Sequence, residues 1–482
     1  MTLLWILLIP LIGSALLGAF GQRNSGFSIN IAVSAATLLA ACVMTVRFLR
    51  DGPLSALHHE LFIDSLNVIL VDLTVLVALS TSVFSRTYMR TETRLGHLSP
   101  ARLRLYHAMY QLFISTMLLA LITNNIGVLW IAMEGATLST ALLISLYRTP
   151  ASLEAAWKYF ILCGVGIALA LLGTIFVYFA GHAVLGARRA LLWTDLYGLK
   201  DRLDPAIITV AFVFLIVGYG TKAGLVPFHN WLPDAHAEGP TPLSAMLSGL
   251  LLNVALYAIV RFKALASGGA VSHWPGELMM GFGLASVAVG AFSLAGQRDV
   301  KRLFSYSSIE HMGLATFAFG LGGPLANFAA LLHMTAHSLT KSSAFFASGQ
   351  VAQAAGTKEM DRIAGAMDRA PASGWALMAS GLAIIGTPPF GLFASEFLIL
   401  TAALRKAPWT VPLLILALGV AFASIFRRTQ AMVFGTADAA RTRTPPALIV
   451  SFAHLALVLA LGLAIPPVLA AWYTKAAHLA GP

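Results

Sequence analysis

The sequence predicts an all-α integral membrane protein of about fourteen transmembrane helices, two of them broken. Three observations carry that expectation. Of 482 residues, 58% are apolar and only 11% are Asp, Glu, Lys or Arg, whereas soluble domains carry about 25% charge. Mean hydropathy is +0.81. The apolar residues fall in runs of roughly 20, the length at which a helix crosses a bilayer, and short loops between the runs hold most of the arginines and lysines.

Taken in order, the first run (Thr2 to Phe20) has no basic leader or cleavage site ahead of it and reads as a retained helix, not a signal peptide. Runs follow at about 27–46, 65–85, 109–123, 125–147, 156–181, 206–228, 241–262, 274–296, 303–322, 325–348, 373–402, 409–434 and 446–473. Only the Asn124–Asn125 turn divides the fourth from the fifth. The stretch 182–205, containing WTDLYGLKDRLDP, is too polar to span and reads as a surface helix or loop. The seventh run enters GLVPFHNW, with Gly224 and Pro227, and the twelfth contains GTPPFGLF, with Pro388 and Pro389 side by side. Proline removes a backbone donor and clashes one turn back. Inside a bilayer the freed carbonyls must be covered by protein or water, so each site is either a kink or a functional break. Interrupted spans at matching positions of two halves mark transporter sites. These two lie five spans apart, which predicts two inverted five-helix repeats. The resulting divisions are 1–108 (spans one to three), 109–270 (first repeat), 271–436 (second repeat) and 437–482 (last span).

A formal net charge of +11 could serve nucleic acid, but the basic residues are scattered through short loops, the pattern that orients membrane proteins. Odd-numbered loops hold 18 Lys and Arg residues, among them Arg86, Arg90, Arg94, Arg102, Arg104, Arg298, Lys301, Arg302, Arg441 and Arg443. Even loops and the C-terminal tail hold 11, including Arg261 and Lys263. The split predicts cytoplasmic odd loops and both termini outside. Cys42 and Cys163 lie far apart in apolar runs, without a CxxC or CxxCH pair. A disulfide framework, an iron–sulfur cluster or a covalently attached haem would therefore lack its ligands.

Inside the apolar runs stand Asp72, Glu134, Lys222, Glu310, His311, His333, His337, Lys341 and Glu396. An acid or lysine at mid-membrane costs on the order of 3 kcal/mol. One such residue could be helix–helix glue; this many ask for a paired or hydrated interior, and moving charge is the economical reason to keep it. Glu134 and Lys222 are either a locked ion pair or a pair that exchanges a proton by forming and separating. His333, His337 and Lys341, in HMTAHSLTKSSAFF, recur every fourth residue and share one helix face over roughly 12 Å. Water between neighbours would let such a stripe relay protons, and histidine suits the task. Two other chemistries compete. His311 and His333 could hold haem as a facing pair in a quinone oxidoreductase, and His229, Asp234 and His236 of HNWLPDAH could bind a metal, although no third or fourth ligand follows at a metal-site spacing. No nucleotide-binding loop is present to supply ATP drive.

The stretch GTKAGLVPFHNWLPDAHAEGPTPLSAMLSG, together with HMTAHSLTKSSAFF and GTPPFGLFASEFLIL, strongly resembles the signature of the antiporter-like subunits of respiratory complex I, multisubunit sodium/proton antiporters and membrane-bound hydrogenases. The likeness covers roughly 110–435. It implies fourteen helices, inverted repeats and a chain of buried charges linking two half-channels: Glu134 with Lys222, then His333, His337 and Lys341, then Glu396 as the exit residue. Where the complex I type carries a lysine in helix eight, LLLNVALYAIVRF places Asn253, which can hold water but no proton charge. SYSSIEHMGLA adds Glu310 and His311 in helix ten. Both departures look like the branch formed by the F component of hydrogenase-4, associated with group 4 hydrogenases and formate hydrogenlyases. The resemblance implies a proton-translocating subunit, with sodium as the alternative ion, without a redox centre of its own, in a bacterial or archaeal cytoplasmic membrane. Nickel–iron and iron–sulfur centres would belong to a peripheral arm with a hydrogenase-like large subunit, and further antiporter-like and connecting membrane subunits would flank this chain. A complex I or sodium/proton antiporter subunit is the alternative reading. Glu310 either compensates for the missing helix-eight lysine or merely pairs with Lys301 or Arg302.

Overall fold

The computed structural model describes residues 2–268, 273–436 and 448–481. Among these residues twenty α-helices and one small hairpin follow each other. Helices α1 (Thr2–Phe20) and α2 (Ser25–Asp51) lead into strands β1 (Leu54–Ala56) and β2 (Leu61–Ile63), an antiparallel pair with Leu54 opposite Ile63. Then come α3 (Asn67–Arg94), α4 (Pro100–Ile122), α5 (Ile126–Ile144), α6 (Pro150–Leu185), the short α7 (Trp193–Gly198), α8 (Pro205–Ala223), α9 (Trp231–Glu238), α10 (Thr241–Met246) and α11 (Leu252–Ala266). The second half holds α12 (Trp274–Leu294), α13 (Val300–Leu321), α14 (Gly323–Ala355), α15 (Ala366–Arg369), α16 (Pro371–Ile384), α17 (Gly391–Lys406), α18 (Val411–Phe434), α19 (Ile449–Leu463) and α20 (Pro467–Leu479).

Helix starts follow the local chemistry. Asn125 accepts from the amides of Gly127 and Val128, and Asp204 from those of Ala206 and Ile207, satisfying donors a helix leaves free. Thr149 and Ser99 each stand before a proline at the first helical position, where a missing N–H costs nothing. Capped by Ser99, α4 begins at Pro100, well before the apolar run at 109, because its first turns carry Arg102 and Arg104.

Close helix packing rests on small residues, as it must where lipid gives no hydrophobic drive. A Cβ on Gly218 of α8 would come 2.5 Å from the Gly166 carbonyl of α6, and one on Gly290 of α12 would come 2.7 Å from the Glu310 amide of α13. Every residue of α11 is buried, as are those of α10 and of the π-turn, Leu247–Leu251, that joins them. Together with α13 and α14 this forms the centre of the molecule, while α1, α2, α6 and α18 present apolar faces outward.

Three expectations change. Among the described residues ten helices are long and apolar enough to cross a membrane, and the bent pair α19–α20 makes eleven. Helices α13 and α14 have the length, at 22 and 33 residues, but are less apolar because they carry the ionisable groups; α16 and α17, at 14 and 16 residues, are short because the chain breaks between them. The last apolar run is not one straight span: α19 and α20 meet at 77° around Ala464–Pro466, where Pro466 and Pro467 remove backbone donors. Arg261 and Lys263 are not loop charges, since α11 continues to Ala266 and buries both. Arg261 makes a two-pronged ion pair with Asp64 at 2.7 and 2.8 Å, and its guanidinium lies 4.4 Å from the ring of Trp193. Arg441, Arg443 and the first two positions of the run 446–473 lie outside the described residues. Of the segment 182–205, residues 182–185 close α6, and the rest forms turns and the short α7, whose Trp193 packs against Arg261.

Candidate functional site

Both proline-bearing stretches are chain breaks. Helix α8 ends where Gly224 takes the left-handed conformation (φ +74°), and the Gly220 and Thr221 carbonyls freed there are covered by the Leu225 and Gly224 amides and by the Trp231 indole N–H at 2.8 Å. That coverage is what a bilayer demands of an interrupted helix. Helix α16 gives way to α17 through a turn at Ile385–Phe390, in which Gly386 has φ +65°. The Val226–Pro227 and Pro388–Pro389 peptides are cis.

Lys222 occupies the last turn of α8 and is fully buried. Its Nζ donates to Tyr159 Oη at 3.0 Å and sits 4.9 Å from the centre of that ring; Tyr159 Oη in turn is 2.6 Å from Thr140 Oγ1. Glu134 is half-buried on α5, on the same face as exposed Ile131, Leu138 and Leu142, and its Oε2 has no partner. The two charges act on each other without forming an ion pair, so the locked-pair alternative is excluded in this conformation. Tyr159 holds the lysine instead.

His229, Asp234 and His236 do not converge. Asp234 pairs with Lys158 at 3.2 Å and with Arg302, and the His229 ring approaches Tyr306. His236 lies flat on Phe345, with ring centres 4.9 Å apart and both nitrogens unpartnered. The metal reading of HNWLPDAH is thereby corrected: each side chain turns to a different partner. Buried His236 lies within charge reach of Lys301 and Lys341, a placement that nothing in its local sequence signals.

Asn253 follows the π-turn at the start of α11. Its Nδ2 donates to Ser338 Oγ at 2.6 Å and to the Met334 carbonyl at 3.2 Å, which ties α11 to α14 and leaves Oδ1 bare. Glu310 on α13 is buried with Oε2 unpartnered. It does not pair with the basic residues two turns away: Lys301 donates to the Gly239 carbonyl at 2.5 Å, and Arg302 reaches Asp234. The group whose charge bears on Glu310 is Lys341 of α14, whose Nζ donates to the Phe304 carbonyl at 2.7 Å.

His311, one residue on, points to another set of partners. Its Nδ1 is 3.1 Å from His333 Nε2 and 3.9 Å from Glu396 Oε1, and its Nε2 donates to the Ile384 carbonyl at 3.0 Å. His333 Nδ1 meets Ser395 Oγ at 2.9 Å. His337 lies with its ring centre 5.4 Å from that of His311 and 6.4 Å from that of His333, both its nitrogens unpartnered. The two histidines suggested for haem are thus bonded nitrogen to nitrogen. Glu310, His311, His333, His337, Lys341 and Glu396 come together where α13, α14 and the α16–α17 break meet, with Asn253 beside them, while Glu134 and Lys222 stand apart near the α8 break. Asp72 belongs to neither group: it accepts twice from Thr45 between α2 and α3. Toward the ends of α3, α13 and α14 a cavity of about 580 Å³ opens, lined by Glu92, His97, Thr241, Lys301 and Lys358.

A polytopic helical bundle with two broken helices and buried ionisable groups running through its centre is a membrane protein of the antiporter-like class. The chain belongs to the NADH:quinone oxidoreductase/Mrp antiporter transmembrane family, whose pattern matches residues 123–423. It is 44% identical to a hydrogenase-4 component F homolog of Methylacidiphilum infernorum over 97% of both chains. It is 33% identical to NADH-quinone oxidoreductase subunit M of Pseudomonas aeruginosa over 56% of this chain and 52% of that one. Its fold is that of a chain in an archaeal respiratory membrane complex, the membrane-bound sulfane sulfur reductase (TM-score 0.89, 23% identity, 99% and 97% of the two chains), and of one in the Mrp complex from Dietzia (TM-score 0.85, 19% identity, 99% and 97%).

Proposed function

We propose that this chain translocates protons as a membrane subunit of a hydrogenase-4-like redox complex. The observation that carries the reading is the set of buried ionisable groups gathered at the two helix breaks. Charge left inside a bilayer without a permanent partner is expensive, and here Glu134, Glu310, His337 and Glu396 all present unpartnered atoms. Lys222, loaded beside Glu134, passes protons through water held by Asn253 toward Lys341, Glu310 and the histidines, and Glu396 releases them at the α16–α17 break. The basic-lined cavity at Lys301 is a second water-filled approach, with His236 between it and Lys341.

The finer architecture of this reading has fourteen spans: the eleven apolar ones, α13, α14 and the broken pair α16–α17. The α8–α9 and α16–α17 breaks are equivalent positions of inverted repeats at 109–270 and 271–436, and the basic loops lie in the cytoplasm with both termini outside. Partner subunits hold the nickel–iron and iron–sulfur centres, and redox turnover there drives this chain through its neighbours. The 44% identity to a hydrogenase-4 component F homolog over 97% of both chains supports the hydrogenase branch; the match to an NADH-quinone oxidoreductase subunit supports a second reading as a complex I or Na⁺/H⁺ antiporter subunit.

Purification of the intact complex decides between them. A co-purifying nickel–iron large subunit supports the first reading, and NADH-oxidising or solely antiporter subunits support the second. For transport itself, Glu134→Gln in the reconstituted complex should abolish proton uptake while redox turnover with an artificial acceptor continues. Undiminished proton uptake in an assembled Glu134→Gln complex would refute the role.

A further inference from the structure

We propose that His311, His333 and Glu396 form a binding site for a divalent transition-metal ion of the zinc type, set in the membrane interior where α13, α14 and α17 meet. Three potential ligand atoms, His311 Nδ1, His333 Nε2 and a Glu396 carboxylate oxygen, lie within 4.8 Å of one another, and all three residues are buried. The separations from His311 Nδ1, 3.1 Å to His333 and 3.9 Å to Glu396, bracket the spacing of roughly 3.3 Å between ligands of a tetrahedral zinc ion. Two imidazoles and one carboxylate are a zinc donor set that leaves a fourth position open. The unpartnered nitrogens of His337 stand beside it.

The outer hydrogen bonds aim lone pairs at the centre. A carbonyl only accepts, so His311 carries its proton on Nε2, toward Ile384, and its Nδ1 is bare. When the Ser395 hydroxyl donates to the Leu392 carbonyl at 2.8 Å, its Oγ accepts from His333 Nδ1 and His333 Nε2 is bare as well. Two lone pairs and the unpartnered Oε1 of Glu396 then face one point, an arrangement that repels itself until a cation enters. Metal-binding histidines characteristically donate their second N–H to such an acceptor. If the Ser395 hydroxyl turns to His333 Nδ1 instead, His333 donates to His311 and the gap closes. Ser395 thus selects between a metal-ready and a closed state. Gly386 completes the cradle: a Cβ there would collide with Glu396 Oε2, and the carboxylate keeps about 10% side-chain exposure at the break.

Binding is independent of any transport role and is read directly. The intact complex, stripped with chelator and titrated with Zn²⁺, should retain one saturable zinc per copy of this chain after desalting, measured by elemental analysis. Co²⁺ in its place should give the intense visible absorption of a tetrahedral site. His333→Gln and Glu396→Gln should each lose that zinc and that absorption, whereas His182→Gln, an exposed histidine of α6, should keep both. Ser395→Ala removes one oxygen and no ligand; it should keep the stoichiometry and weaken affinity about 10- to 100-fold. Zinc retained equally by His333→Gln, or no saturable zinc in the parent complex at micromolar concentrations, would overturn the site. Where the proton path proposed above holds, zinc should also block proton uptake in the parent; binding without that block would count against the path and leave the site standing.

Discussion

Replacing Tyr159 by Phe deletes one oxygen and tests whether the contact at the α8 break governs loading of Lys222. The ammonium is fully buried and donates to Tyr159 Oη at 3.0 Å. A hydrogen bond to a charged group contributes about 1.5–3 kcal/mol, so the charged lysine rises by that amount relative to the neutral one. At about 1.4 kcal/mol per factor of ten, the ratio of charged to neutral lysine falls about 10- to 150-fold. The ring remains, and with it the cation–π contact at 4.9 Å; a water in the vacated place moves the outcome to the low end. Proton uptake by vesicles carrying the assembled complex, followed with a pH-sensitive dye, should drop at least tenfold, while redox turnover with an artificial acceptor stays near that of the parent. Thr140→Val, which removes only the outer partner of the tyrosine, should lose far less. Uptake within twofold of the parent in Tyr159→Phe would mean that Lys222 is loaded independently of this contact.

Three further outcomes follow from the same geometry. His337→Phe should remove a relay group and fill its hydrated gap, whereas His337→Gln should lose less; equal uptake in the Phe variant and the parent would reduce the stripe to packing. Glu310→Gln should impair uptake strongly and Asn253→Ala mildly, and adding Asn253→Lys to Glu310→Gln should recover part of the loss by restoring a charge between α11 and α14. Unimpaired uptake in Glu310→Gln would remove that residue from the path. Asp64→Asn keeps an acceptor for the Leu66 and Asn67 amides but leaves the Arg261 guanidinium buried and unpaired. It should cost about 3–5 kcal/mol, visible as a lowered midpoint in thermal unfolding of the purified protein, and replacing Arg261 by Met in the same chain should restore much of it.

What was legible in the sequence is what is expensive in a bilayer. Lys222, Glu134, Glu310 and the α14 histidines stand out because a polar group in an apolar run must be explained, and the prolines at 227, 388 and 389 stand out because each removes a donor. Tyr159 and Ser395 did not. A tyrosine or serine in an apolar run costs little, and its meaning lies in a partner on another helix: Lys222 and His333 respectively. The choice between two roles for Glu310 was open for the same reason. Nothing local says that Arg302 turns to Asp234 and Lys301 to the Gly239 carbonyl, and those two bonds leave Glu310 without the surface partners it could have had. The bend between α19 and α20 escapes a reading of the run 446–473 as one span on its apolar length alone, which leaves Pro466 and Pro467 inside it unweighed.

Two of the helices that carry the chemistry, α13 and α14, lack the membrane signature of the outer helices although they have the length, and burial explains both facts. α10, α11, α13 and α14 are enclosed by other helices, so their side chains meet protein and not lipid. Hydropathy has to satisfy lipid only on the outer helices; the inner ones are free to carry Glu310, His311, His333, His337 and Lys341. The glycines of α6, α8, α12 and α13 hold those outer layers close enough to exclude lipid from the centre. The α11–α14 contact is made by polar atoms, Asn253 to Ser338 and Met334, with the carbonyl of Asn253 left bare beside the π-turn. An apolar substitution at Asn253 would raise the hydropathy of that span and make it a better membrane helix in isolation. It would also remove the amide that ties α11 to α14 and the only bare acceptor of that side chain, which is why a span this deeply buried retains a polar group at that position.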